Sequence, residues 1–504
     1  MSDDDSGAST LATQGGITFL GKILGKGLGF FFVAVATRLV SPSEYGAFTL
    51  ALSIVLFAQG FASLNIYRSV DYFVPQYLTN SDYGKAKQTL QNVFSLGIVS
   101  SFVGAGILFV AIDWLQVIFN EPQLGGILPY LVLLIPLQTV LRTLVASFNS
   151  LKEMKYRVVA QDLLNPLVRT LGAVALVTTG AGVLGLVGGY LLGVAVAVAC
   201  GVVFLLYEAD WIKTASSEPV SNRALLTYSL PLVLAGVIYS LVGQLDYFVI
   251  GYFMESSDVG QYRVAYLLAG NLLIVLQAIT PVFKPMIAEN QSDNSLLESR
   301  YQLATRWTTM LTLPLVVTLV AAPDIYLSLL FTKEYSVASA AVVALSIGYL
   351  FNASFGPEGM VLEGLGHTRL TLFNTLILVG ANAVLNLILV PDFGIFGAGI
   401  ATGTALTIAG AVGVLEIYLL RSISPFKLHS LSIWVAVLPS IGVAYILSLL
   451  TIKEWMLAFL IPSFVLLTYV LSLRKSGAFT YQDVKIASQV DEYLGYPVFQ
   501  AIIY

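Results

Sequence analysis

Apolar runs of about 20 residues follow one another along the chain, separated by short segments rich in glycine, proline and charged residues. A helix needs about 20 mainly apolar residues to cross a hydrocarbon core of about 30 Å. The pattern therefore predicts an all-α polytopic membrane protein of about 14 transmembrane helices. The predicted helices cover residues 17–40, 46–66, 89–112, 125–147, 157–179, 183–207, 229–253, 259–283, 303–322, 337–356, 370–390, 395–420, 430–450 and 454–473.

Short motifs recur in the two halves of the chain, in the same order and at nearly the same offset. Ser43-Glu44-Tyr45-Gly46 matches Ser257-Asp258-Val259-Gly260, and Gly182-Val183-Leu184-Gly185 matches Gly394-Ile395-Phe396-Gly397. An even number of helices preserves orientation, so we predict a parallel repeat of two six-helix lobes followed by two further helices. The predicted divisions are an N-terminal lobe over 1–207, a cytoplasmic linker over 208–228, a C-terminal lobe over 229–420, helices 13 and 14 over 421–474, and a cytoplasmic tail over 475–504.

Composition excludes several classes of protein. Of the 504 residues, 57% are hydrophobic and 11% charged, which no ordinary soluble domain matches. The acidic start lacks the basic region of a cleaved signal peptide, so we expect the first helix to remain in the mature chain. One cysteine, Cys200, and two histidines, His367 and His429, argue against a disulfide framework and against a metal centre. We expect no metal, no cofactor and no nucleic-acid partner.

The positions of the basic residues predict the orientation of the chain. With the N-terminus inside, eighteen of the 25 Lys and Arg residues fall on the cytoplasmic side and four on the outer side. Lys22, Lys26 and Arg169 fall within the membrane. This asymmetry obeys the positive-inside rule. We therefore predict a multi-pass protein of the cell membrane with both termini in the cytoplasm.

The first helix carries the most informative polar residues. Gly21, Gly25 and Gly29 recur every four residues and form a stripe that allows close helix packing, while Lys22 and Lys26 lie on the adjacent stripe. Measured from Ile17, Lys26 is about 14 Å into the membrane, where an unpaired charge costs about 3 kcal/mol. The two lysines either snorkel to the cytoplasmic surface or form a wall that attracts an anion.

Other polar residues inside the membrane admit two interpretations each. Asp162 and Arg169 share a helical face and form either an internal pair or a substrate site. Arg68, with Asp71, lies at the predicted inner end of the second helix. It is either part of an interfacial pair or at the cytoplasmic mouth of a cavity.

The second half of the chain offers three further candidates. Asp246 either binds a proton or cation or is hydrogen-bonded within the bundle. Arg263 is either an interfacial anchor near the outer surface or a cavity residue. Asn382 shares a face with two other asparagines and either contacts sugar hydroxyls or hydrogen-bonds a neighbouring helix. The outer loops are short, and we find no phosphate-binding loop, metal spacing or nucleophile motif, so we do not expect an enzyme.

The chain resembles the lipid-linked oligosaccharide and polysaccharide flippases of the multidrug/oligosaccharidyl-lipid/polysaccharide exporter superfamily. The resemblance rests on the glycine-rich first helix leading into Arg38-Leu39-Val40-Ser41-Pro42-Ser43-Glu44-Tyr45-Gly46, on Phe73-Val74-Pro75-Gln76-Tyr77, and on the six-plus-six-plus-two layout. It implies a V-shaped cavity between two lobes that opens alternately to each side. It also implies that cationic residues of the first two helices line the cavity, and the matching positions are Lys22, Lys26 and Arg68.

We therefore expect a transporter that flips a polyprenyl- or dolichol-phosphate-linked sugar or oligosaccharide to the outer leaflet, for polysaccharide biosynthesis or protein glycosylation. The expected partners are the lipid-linked substrate, membrane lipid, and glycosyltransferases or an oligosaccharyltransferase. Two alternatives stay open. One is a cation-coupled multidrug exporter of the same superfamily, and the other is a non-transporting membrane scaffold for glycan enzymes.

Overall fold

The computed structural model describes residues 2–289, 291, 293–494 and 496, so the predicted tail over 475–504 lies partly outside the described residues. Every regular element within these residues is a helix. The α-helices of the first half are α1 Ser2–Leu39, α2 Pro42–Ala62, α3 Arg68–Thr79, α4 Tyr83–Val110, α5 Ile112–Ile118, α6 Leu124–Leu131, α7 Leu134–Ser150, α8 Met154–Arg157, α9 Asn165–Leu176, α10 Val183–Glu208, α11 Trp211–Thr214 and α12 Asn222–Phe253. Those of the second half are α13 Ser256–Gly270, α14 Ile274–Glu289, α15 Asn294–Ala321, α16 Pro323–Leu330, α17 Ser339–Phe355, α18 Glu358–Gly364, α19 Thr368–Arg421, α20 Leu431–Ala436, α21 Leu438–Ser448, α22 Glu454–Lys475 and α23 Tyr481–Leu494.

The number of membrane spans agrees with the sequence prediction. Among the described residues, thirteen helical segments are long and apolar enough to cross a membrane. One of them, Thr368–Arg421, has 54 residues and is interrupted at Gly394, which has φ 58° and ψ −142°. Each half of this segment is long enough to span, and counting the halves separately gives the fourteen predicted helices. The all-α polytopic fold is confirmed.

The glycine that interrupts α19 has a counterpart in the first half of the chain. Gly182, directly before α10, has φ 53° and ψ −136°, within a few degrees of Gly394. A positive φ favours glycine, which has no Cβ to clash with the backbone. The sequence repeat had paired these two positions, and their backbones adopt the same conformation.

The second predicted helix extends four residues too far at its inner end. Instead of one helix over 46–66, α2 ends at Ala62 and α3 begins at Arg68. The side chain of Ile66 packs against Gly97 of α4: a Cβ added at Gly97 would lie 3.4 Å from it. Because Gly97 is about 21 Å along α4 from Tyr83, the break lies near the middle of that helix and not at its end. Arg68 therefore starts a second helical segment beside the middle of α4.

The chain divides into two compact units, Met1–Arg263 and Val264–Tyr504. In the first unit, α1 packs on the segment 158–176 and α9 packs closely on α10. At Gly193, a Cβ would lie 2.6 Å from the carbonyl oxygen of Asn165. In the second unit, α17 packs on α19 through Gly348 and Gly403. The predicted lobe boundaries stay a prediction.

Two turns of the first unit meet at a pair of glycines that the sequence repeat had aligned. A Cβ at Gly46 would overlap the carbonyl oxygen of Ser256, and one at Gly260 would lie 3.1 Å from the Gly46 nitrogen. The first turn is rigid because Glu44 and Ser41 form a capping box, with the Ser41 nitrogen donating to Glu44 Oε2 at 2.9 Å. Glu44 thus caps the N-terminus of α2.

Candidate functional site

The glycine stripe of α1 is a packing surface. A Cβ at Gly21 would lie 2.5 Å from the Val158 side chain, and one at Gly25 would lie 3.0 Å from the carbonyl oxygen of Asp162. Lys22 and Lys26, on the adjacent stripe, are both exposed. The stripe thus fixes α1 against the segment that carries Asp162, and this packing leaves the two lysines uncovered.

Asp162 and Arg169 do not pair with each other. Asp162 lies in a π-helical turn, Val158–Leu164, within electrostatic range of Arg157 and Lys22. The Arg169 guanidinium instead lies 4.4 Å from the centre of the Phe32 ring and 4.7 Å from that of Tyr190. The internal pair considered from the sequence is therefore absent. Arg169 packs against two aromatic rings, and Asp162 faces cations.

Two arginines contact one tyrosine ring just after the break between α2 and α3. The Arg68 guanidinium lies 5.3 Å from the centre of the Tyr67 ring, and that of Arg142, from α7, lies 6.0 Å away. Within the described residues, neither arginine has a carboxylate within ion-pair distance. The Tyr67 ring is a weak counterpart for two guanidinium charges. Both arginines thus keep their hydrogen-bond donors available.

Asn149 bridges Asp71 and Arg157. Its amide nitrogen donates to Asp71 Oδ1 at 3.4 Å, and its oxygen accepts from Arg157 Nη1 at 3.5 Å. Asp71 lies within electrostatic range of Arg68 and Arg157. The polar residues therefore form one continuous group, which we call the cationic cluster: Lys22, Arg68, Arg142 and Arg157 with the carboxylates Asp71 and Asp162.

The cationic cluster is suited to binding an oxyanion. Its four cations exceed its two carboxylates, and none of the four forms an ion pair among the residues that the structure describes. Uncompensated charge at membrane depth is expensive and is usually retained for a ligand or a water-filled cavity. Arginine offers planar pairs of donors that match a phosphate, whereas lysine acts as a point charge. Lys26 lies one turn from Lys22, and the two positive charges repel each other.

Sequence reasoning missed Arg142 and Arg157. Both had been assigned to the cytoplasmic side because they fall near the ends of predicted helices 125–147 and 157–179. The signal that could have identified Arg142 is that it lies inside its predicted helix, where an arginine indicates function by default. Nothing in the spacing indicates that Asn149 would connect Arg157 to Asp71, because that contact depends on how α3, α7 and α8 pack.

The remaining candidate residues lie outside the cationic cluster. Asp246 is 5% exposed and accepts a hydrogen bond from the Tyr262 hydroxyl at 2.7 Å. Arg263 donates to the Tyr247 hydroxyl at 3.0 Å. Asn382, in the second unit, donates to Thr402 Oγ1 at 3.0 Å across the two halves of α19. These contacts are internal hydrogen bonds, and the described residues hold no group of three metal-ligating side chains.

Comparison with known proteins finds similarity to proteins that are named as flippases and transporters. It is 22% identical over 395 residues to a Haloferax volcanii protein named "Probable low-salt glycan biosynthesis flippase Agl15", covering 77% of this chain and 80% of the relative. Its fold is similar to that of the lipid II flippase MurJ, with a TM-score of 0.72 and 16% identity over 92% of this chain and 98% of MurJ. A multidrug resistance MATE family transporter of the MOP superfamily follows, with a TM-score of 0.66 and 15% identity over 78% of this chain and 94% of that one.

These relatives bear the names of flippases and transporters, in agreement with the expectation that the chain is not an enzyme. The resemblance drawn from the first turn and the helix layout is confirmed. The model of one family, described as polysaccharide biosynthesis protein, matches residues 35–340, more than half of the chain. The chain belongs to the polysaccharide biosynthesis protein family.

Proposed function

We propose that this protein is a flippase that moves a lipid-linked sugar or oligosaccharide across the cell membrane, from the cytoplasmic to the outer leaflet. The observation that carries the proposal is the excess of cations without ion pairs in the cationic cluster. A polyprenyl or dolichol phosphate carrier has an anionic phosphate between its tail and its sugar. Cations at membrane depth can hold that phosphate while the tail remains in lipid.

The names of the relatives support this class of substrate. The Haloferax volcanii relative is named as a glycan biosynthesis flippase, and the structural neighbour MurJ is named as a lipid II flippase. With both termini in the cytoplasm, an inside-negative potential favours outward movement of an anion by about 2.3 kcal/mol per charge per 100 mV. Membrane lipid and the enzymes that build or transfer the glycan complete the proposed set of partners.

The glycine contact in the first unit supports alternating access as the mechanism. At Gly46 and Gly260 two backbones touch directly, and no side chain separates them. In the proposed orientation this contact closes the outer end of the first unit. Lys22 and Lys26 remain exposed in the same structure. Transport then requires the glycine contact to open when the headgroup has been bound.

The test is translocation in proteoliposomes of a polyprenyl-phosphate sugar that carries a fluorophore on the sugar. A membrane-impermeant quencher reports the leaflet in which the headgroup lies. We compare the native chain with Lys26→Ala, Lys26→Arg and Arg142→Ala. Arg223→Ala, which removes an exposed cation outside the cationic cluster, is the matched control.

The proposal expects transport to be lost in Lys26→Ala and in Arg142→Ala, and kept in Lys26→Arg and in Arg223→Ala. Equal rates in all five proteins would exclude the cationic cluster, together with the neighbouring Lys26, as the headgroup site. The fold similarity to a MATE transporter favours a second candidate, a cation-coupled multidrug exporter. It gains support if the native chain moves no lipid-linked sugar but expels a cationic dye.

A further inference from the structure

The break between α2 and α3 is built from residues that are buried in protein. Ser63 and Ile66 are fully buried, and Asn65 is 5% exposed. Leu64 and Asn65 adopt left-handed backbone conformations, with φ of 49° and 45°. A non-helical segment at membrane depth is tolerated only where protein or a water-filled cavity surrounds it. The break is therefore a defined structural element with its own packing.

Backbone strain makes this element costly. Left-handed conformations of residues other than glycine cost roughly 1–3 kcal/mol each, least for asparagine, and persist where the surrounding structure enforces them. Such outliers concentrate at functional sites. The residue at which the helix resumes is Arg68, whose side chain is exposed and belongs to the cationic cluster. The strained segment thus determines where this guanidinium emerges.

Two hydrogen bonds attach the break to α12. The Asn65 side-chain nitrogen donates to the carbonyl oxygen of Leu232 at 2.9 Å, and Ser69 Oγ donates to the carbonyl oxygen of Leu225 at 3.0 Å. These donors flank Arg68 on both sides along the chain. The approach of Asn65 also requires glycine at position 236, because a Cβ there would overlap the Asn65 amide.

We propose that Asn65 is a positioning residue, which holds Arg68 in the cationic cluster by attaching the helix break to α12. The inference rests on the proposed function. It adds that the position of the headgroup-binding guanidinium depends on α12, so that a displacement of α12 moves Arg68 with it. Asn65 does not itself contact the substrate; it acts through Arg68.

The test is a double-mutant cycle of Asn65→Gly and Arg68→Ala, read as the apparent KM and kcat of sugar-lipid translocation. Glycine keeps the left-handed backbone at position 65 and removes the side chain that bonds to Leu232. Asn65→Gly is expected to raise the apparent KM about tenfold in the native background, as for two strongly coupled residues. In the Arg68→Ala background the same change is expected to have no further effect.

A second variant disrupts the same contact by a change in α12. Gly236→Ala excludes the Asn65 amide, so it should raise KM in the native background and have a much smaller effect in Asn65→Gly. Thermal unfolding of each purified protein separates misfolding from misplacement of Arg68.

The outcomes distinguish this inference from the proposed function. If Arg68→Ala transports normally, the headgroup site itself is wrong. If Arg68→Ala impairs transport and Asn65→Gly adds a full independent loss to it, Asn65 supports the fold only and the positioning role is overturned.

Discussion

Arg142 in the first unit and Arg306 in the second lie in membrane-spanning helices but have opposite surroundings. Arg306 is 7% exposed, donates to the Ala478 carbonyl oxygen at 2.8 Å and to Thr480 Oγ1 at 3.2 Å, and forms an ion pair with Asp483. Arg142 is half-buried and has only the Tyr67 ring as a partner among the described residues. One arginine is saturated by its own protein, whereas the other has unused donors.

The saturated arginine holds the C-terminal helix in place. Asp483 also accepts hydrogen bonds from Trp307 Nε1 at 2.8 Å and from the Thr480 nitrogen at 2.6 Å, at the start of α23. We call Arg306, Trp307, Thr480 and Asp483 the C-terminal latch. A saturated buried charge indicates architecture, whereas an unsaturated one indicates a ligand. Under the proposed function, the two arginines therefore have different roles although both lie in membrane-spanning helices.

The contrast predicts its largest effect on stability at Arg306. Arg306→Met leaves Asp483 buried without its cation, and we expect a loss of about 3–5 kcal/mol in the free energy of unfolding. Arg142→Met is the matched change and should leave stability nearly unaltered while abolishing sugar-lipid transport. Thermal unfolding in detergent and the proteoliposome assay measure the two properties. Equal destabilisation by both substitutions would contradict the distinction.

Helix packing should matter more than charge for the stability of the first unit. Gly25→Val forces a branched side chain against the backbone of Asp162, and we expect a loss of about 1–3 kcal/mol from overpacking. Gly27 lies on the same helix and has no atom within 4 Å of an added Cβ. Gly27→Val is therefore the control in the same unfolding experiment. A comparable loss of unfolding free energy in both variants would mean that valine destabilises α1 at either position, whether or not it meets Asp162.

Acid should release the C-terminal latch. Burial raises the pKa of Asp483, but the hydrogen bonds and charge of Arg306, with donation from Thr480 and Trp307, outweigh burial and hold the pKa below its ordinary value of 3.8. A carboxyl group with a lowered pKa in the folded state stabilises the fold above pH 3.8, and this contribution is lost as the pH falls through the folded pKa.

Protection of α23 against an acid-active protease should therefore fall as the pH is lowered through the pKa of Asp483 in the folded protein. Asp483→Asn should remove this pH dependence, with protection already reduced at neutral pH. Unchanged protection of the native chain in acid would show that other contacts hold α23.

The smallest effect is expected at Asn382. Its bond to Thr402 joins the two halves of α19, and membrane-embedded hydrogen bonds of this kind average about 0.6 kcal/mol. Asn382→Ala should lower stability by about this amount and leave sugar-lipid transport unchanged. A transport defect as large as that of Lys26→Ala would return Asn382 to the set of substrate-binding residues.

Features that depend on local chemistry could be predicted from the sequence. Membrane spans follow from hydrophobic length, the equivalence of Gly182 and Gly394 follows from their place in the repeat, and the capping role of Glu44 is consistent with its spacing to Ser41. The glycine stripe beside Lys22 and Lys26 was predicted for the same reason, since helical periodicity alone determines which residues share a stripe.

Features that depend on tertiary contacts could not be predicted. The break after Ala62 contains no proline or glycine to mark it, and the side chain of Asn65, one of its two left-handed residues, is held by a contact with α12 that the sequence does not indicate. The inclusion of Arg142 in the site depends on that break, which brings Tyr67 beside α7. The absence of an Asp162–Arg169 pair likewise follows from aromatic packing around Arg169 that no seven-residue spacing could indicate.

The π-helical turn over Val158–Leu164 has a consequence for how such sites diversify. A wide turn accommodates an extra residue within an otherwise regular helix. Deleting one residue there would convert the wide turn into an ordinary α-helical turn and leave the residues on either side in nearly their present orientation. Arg157 and Arg169 would then keep their neighbours, while the residues of the turn itself, Asp162 among them, would shift. A change of one residue in the length of this turn is therefore absorbed locally, so the position of one carboxylate can vary while the helices that carry the cations stay in place.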